Sequence, residues 1–105
     1  MTMPLTRDFK DTVKARAERD PEFRRALVME ASECLLDNDF VTAKAILRDY
    51  INATIGFEGL AEAVGTPSKS LIRMLGPRGN PQASSILPVI AYIRRREHLA
   101  DADTA

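Results

Sequence analysis

The chain has 105 residues, 45% of them hydrophobic and 29% charged, which fits one globular domain and leaves little room for an elaborate active site. No apolar run approaches the roughly 18 residues that cross a bilayer, so a membrane-spanning class is excluded. The net charge of zero hides an asymmetry: residues 1–54 hold nine Lys/Arg against ten Asp/Glu, whereas residues 63–96 carry six bases and no acid.

In chain order the punctuation is helical. Thr6 is placed to cap a helix from about Arg7 to Arg19, with Leu5 as its staple residue. Asp20-Pro21 restarts the chain as N-cap and first helical residue, since proline has no N–H to lose there. Phe23, Leu27, Ala31, Cys34 and Leu35 then recur at helical spacing up to "DND" at 37–39. A third segment sets Val41, Ile46, Leu47, Tyr50 and Ile51 on one side and Lys44, Arg48 and Asn52 on the other.

Two short helices follow, at about 57–64 and 67–75, separated by Gly65, which suits the left-handed conformation that closes a helix. Thr66-Pro67 reads as cap and first residue of the second, and "GPRGNPQ" at 76–82 as a loop. Ser85 is expected to cap the last helix, which puts Pro88 at its third position and buries Ile86, Ile90 and Ile93. The tail 99–105 is expected to fray. The pattern predicts an all-α domain of about six helices: an N-terminal helical extension (1–39), a helical core (40–98) and the tail.

The pair at 57–75 meets the demands of a helix-turn-helix. Ala61 is small where the helices cross, Gly65 tolerates positive φ in the turn, and Leu60, Val64, Leu71 and Met74 lie at the inward offsets. Ser68, Lys69, Ile72 and Arg73 are left on the outer face. The stretch resembles the helix-turn-helix of lambda-repressor-like bacterial regulators. The elements "GFEGLAEAVG", "PSKSLIRML" and "GNPQASSIL" look like the antidote (antitoxin) proteins of chromosomal addiction modules, over about 40 residues. That resemblance implies a compact lambda-repressor-like domain in the cytoplasm, a sequence-specific regulator that binds double-stranded operator DNA. It implies a homodimer that represses its own operon and neutralises a small toxin, without a cofactor. The first of the two helices lacks the Gln with which many such repressors grip a phosphate, so a backbone N–H is the expected anchor there.

The chemistry of the outer face agrees. Lys69 and Arg73 are four apart and share a side, and Arg73 can form a bidentate pair with guanine worth about 1–3 kcal/mol of discrimination. Thr66, Ser68 and Ser70 offer hydroxyls to phosphate or base, Ile72 an apolar contact for a thymine methyl, and Arg78 and Asn80 phosphate contacts from the loop. Each has a plainer reading. Lys69 and Arg73 alone would be solubility residues, Ser70 could turn inward to backbone, and Asn80 before Pro81 could cap the loop. Arg94, Arg95 and Arg96 fit a solvated helix end favoured by the dipole. His98 lacks a ligand partner and Cys34 sits on an apolar face, so neither metal binding nor catalysis is expected, and a lone cysteine suits a reducing compartment. A competing reading is a protein-interaction module whose partner surface uses Phe9, Val13, Phe23, Leu36 or Phe40.

Overall fold

The computed structural model describes residues 7–99, with side chains from residue 12 onward. Six helices are present and no strand among the described residues: α1 (Arg7–Arg19), α2 (Pro21–Leu36), α3 (Phe40–Ala53), α4 (Gly56–Val64), α5 (Ser68–Met74) and α6 (Ala83–Arg96). The expected cap at Thr6 and the tail from residue 100 lie outside the described residues.

The helix ends follow from local chemistry. Asp20 caps α2, its carboxylate accepting from Glu22 and Phe23 N–H at 3.1 and 3.2 Å. Asp39 does the same for α3 through Thr42 N–H. Between them Asn38 turns left-handed (φ 66°), so that Asp39 N–H reaches Cys34 O and Asn38 N–H reaches Leu35 O. That pair of bonds reverses the chain in three residues and lays α3 back along α2. His98 repeats the device after α6, with φ 63° and Leu99 N–H donating to Arg94 O. Leu99 therefore folds onto the core instead of fraying.

The core is one cluster drawn from five helices: Val28 and Ala31 of α2, Leu47, Tyr50 and Ile51 of α3, Leu60 of α4, Leu71 of α5, and Ile86, Val89, Ile90 and Ile93 of α6. Leu75 joins it just beyond α5. The stripe of α3 differs from its expected register. Val41 is 78% exposed, while Lys44, assigned to the outward side, is only 5% exposed. The inward face is centred on Ala43, Leu47 and Tyr50. Lys44 fits beside it because its long stem packs against protein while the ammonium finds an oxygen.

The last helix also departs from expectation. It begins at Ala83, because the Gln82 carbonyl accepts from both Ser85 and Ile86 N–H at 2.9 and 3.0 Å. Pro88 therefore stands at the sixth helical position, and the bond it would have given to Ser84 O is missing.

A polar knot fastens the far end of α6. Glu97 is almost fully buried; its carboxylate accepts from Arg24 Nε at 3.2 Å, Tyr50 Oη at 2.5 Å and Arg96 Nη1 at 3.0 Å. Arg24 also donates to Ala17 O at 2.7 Å. The knot thus joins α1, α2, α3 and α6, and no buried side-chain polar atom among the described residues lacks a partner.

Candidate nucleic-acid interface

α4 ends on Gly65, whose φ of 72° and N–H bond to Ala61 O at 2.9 Å turn the chain sharply. Thr66 does not cap the next helix. Pro67, extended at ψ 142°, takes the N-cap position, and its carbonyl accepts from Leu71 N–H at 3.1 Å. The residue before a proline is held out of the helical region, which pushes Thr66 into the turn proper. α5 is consequently seven residues long, and its backbone lies closest to α4. Leu71 seals it to the core, with Val64 and Met74 half-buried alongside.

What remains outward on α5 is Lys69, Ser70, Ile72 and Arg73, with Ile72 50% exposed. Ser68 leans back to Glu58 of α4, a long hydrogen bond of 3.4 Å. Beside α5, the 76–82 loop and the first turns of α6 enclose an open cleft of about 660 Å³. Of the eight candidates, Thr66, Ser70, Arg73, Arg78 and Asn80 line this cleft, while Ser68, Lys69 and Ile72 lie outside it. Its floor is Leu71 and Met74, its far wall carries Ser84 and Ser85, and no acid contributes to it. Lys69, Arg73 and Arg78 make no hydrogen bond or ion pair among the described residues, whereas Arg96 is committed to Glu97 and Tyr50. The triple-arginine end of α6 is therefore not one free patch.

Two positioning residues escape a reading by periodicity. Lys44 Nζ donates to Gly79 O at 2.6 Å, and Arg48 Nη1 donates to Leu75 O. One turn apart on α3, these cations hold the loop that carries Arg78 and Asn80, and Arg48 also meets the negative end of α5. Gly79 lets the loop fold back against the end of α5: a Cβ there would come within 2.1 Å of Met74 O. The only sequence signal is that Lys44 and Arg48 flank the Ala43–Leu47 stripe at a spacing of four. A tertiary partner 27 or 35 positions away leaves no local pattern.

The geometry stands without a relative beside it: no protein-family model, curated protein or solved structure matches this chain.

Proposed function

We propose that the chain is a sequence-specific DNA-binding transcriptional regulator that reads its operator with α5. On the resemblance of residues 52–90, it is the antitoxin of a type II toxin–antitoxin module, a cytoplasmic homodimer that represses its own operon and has no catalytic role. One observation carries the DNA reading. Behind a left-handed turn at Gly65, a short helix and its loop expose Lys69, Arg73 and Arg78 without internal partners, and the cleft that Arg73 and Arg78 line holds no acid. Exposed cations left unpaired are suited to a polyanion, and Arg73, on the outer face of α5, carries the guanidinium fork that suits guanine.

The test is fluorescence anisotropy with the protein's own upstream DNA and a scrambled duplex, at about 50 and about 200 mM salt. Wild type is expected to prefer its own DNA and to weaken with salt. Arg73→Ala is expected to lose about 1–3 kcal/mol of that preference. Equal binding of both duplexes by the wild type would remove the regulator reading.

A second reading, a partner-binding module, is favoured by a separate observation. Leu36, at 87% exposure, and Phe40 both reach solvent at the α2–α3 corner, whereas Val13 and Phe23 are half-buried and Phe9 lies outside the described side chains. The two readings use different elements and are compatible.

A further inference from the structure

Six large hydrophobic residues are exposed among the described residues, and four of them, Met29, Leu36, Phe40 and Val41, belong to the C-terminal half of α2 and the first turn of α3. Met29 and Leu36 are seven residues apart and so lie on one line along α2, turned away from Val28 and Ala31. The three-residue reversal at 37–39 then places Phe40 and Val41 directly after Leu36. Apolar surface gathered in this way costs solubility and is retained where something covers it.

The charge around it is one-sided. From Ala26 to Ala43 there are four acids, Glu30, Glu33, Asp37 and Asp39, and no Lys or Arg. They converge in space as well as in sequence. The half-buried Cys34 thiol has its pKa raised by desolvation first, and then by Asp39, Glu30, Asp37 and Glu33, all four of which reach it. Asp39 is occupied in capping α3, but Glu30, Glu33 and Asp37 are exposed with no cation against them among the described residues.

We infer that this acid-rimmed apolar corner is a docking face for a cationic amphipathic helix of a partner protein. The inference rests on the partner-binding reading and gives that partner its chemistry. Met29 and Leu36 stand two turns apart on α2 with Glu33 between them, so another helix can seat apolar positions of the same spacing on the pair and a cation on Glu33. Lys or Arg at the edges of that helix would meet the acids, and electrostatic complementarity would fix its register and exclude acidic competitors. An anionic bilayer meets four like charges here, so a membrane surface is disfavoured. A second copy of the chain could offer Lys69, Ile72 and Arg73 of α5, but the proposed function already commits that face to DNA.

Three short synthetic helices with one leucine pattern, carrying Arg, Gln or Glu at the polar positions, are titrated into the isotope-labelled full chain and followed by amide shifts. The Leu/Arg peptide is expected to perturb residues 29–41 and to bind about tenfold or more tighter than the Leu/Gln peptide, with no binding by Leu/Glu. Glu33→Lys with Asp37→Lys should remove the preference for Arg, and Leu36→Ser should remove binding, both with an unchanged melting temperature since the sites are exposed. Equal binding of the Arg and Gln peptides would overturn the cationic assignment while leaving the partner-binding reading in place. Perturbation elsewhere, or none with any peptide, would overturn the docking face itself. Concentration-dependent mass of the protein alone, abolished by Leu36→Ser, would replace the partner with a second copy.

Discussion

A single methyl group at position 65 would strain the turn that sets α5 against α4. Gly65 has φ of 72°, where an L side chain crowds its own backbone, at a cost of roughly 1–2 kcal/mol. Gly65→Ala is expected to lower stability by about that amount in urea unfolding, and Gly65→Asn by less, since asparagine tolerates this conformation. At the opposite side of the core, burial and the Glu97 carboxylate push the Tyr50 hydroxyl up to about 12. A phenol whose folded pKa exceeds its unfolded value near 10 favours the fold while protonated. Its contribution is complete below about pH 10 and is lost as pH rises towards about 12. Tyr50→Phe is expected to flatten that part of the stability profile and, by leaving a lone pair of buried Glu97 unmet, to cost about 1–3 kcal/mol at neutral pH. Denaturant midpoints of both proteins across the alkaline range measure this. The turn at Gly65 was legible because glycine announces left-handed backbone. The Tyr50–Glu97 bond was not, since 47 residues separate its partners and tyrosine on an apolar stripe reads as core.

Among the elements, α3 does more than fill the interior. Its inward side contributes Leu47, Tyr50 and Ile51, and its edge sends Lys44 and Arg48 to the chain following α5. Lys44→Met keeps the length of the stem and removes the donor to Gly79 O. The fold is expected to survive. Amide exchange at Gly79 and Asn80 should quicken, and DNA affinity should fall several-fold with sequence preference retained, because loop contacts to phosphate set register without reading bases. Loss of preference together with affinity would mean that the loop reads bases. Element existence was plain in the sequence because caps and prolines mark it: Asp20-Pro21, Gly65 and Gly76-Pro77 all bound helices as read. The start of α6 was misplaced because Pro88 suggests an early position, while the Gln82 carbonyl begins the helix sooner. Side chains with one favourable local pattern and a distant partner, Lys44 above all, fall outside what periodicity can express.

For the whole molecule, five of the eight candidate residues share one cleft and two more share the outer face of α5. In the proposed reading a domain of this size would cover one half-site and a dimer would span two, about one helical turn or 34–36 Å apart. Analytical ultracentrifugation with operator DNA is therefore expected to give two chains per duplex; a single chain at saturation would break the symmetric scheme. The single helix α3 also carries Val41 on the acidic corner and, three residues later, the ammonium that anchors the Gly79 loop. Three residues of α-helix rise about 4.5 Å, so the two surfaces meet on one short piece of helix. Thermodynamic reciprocity then sets a constraint: whatever factor a bound partner imposes on operator affinity, operator must impose on partner affinity.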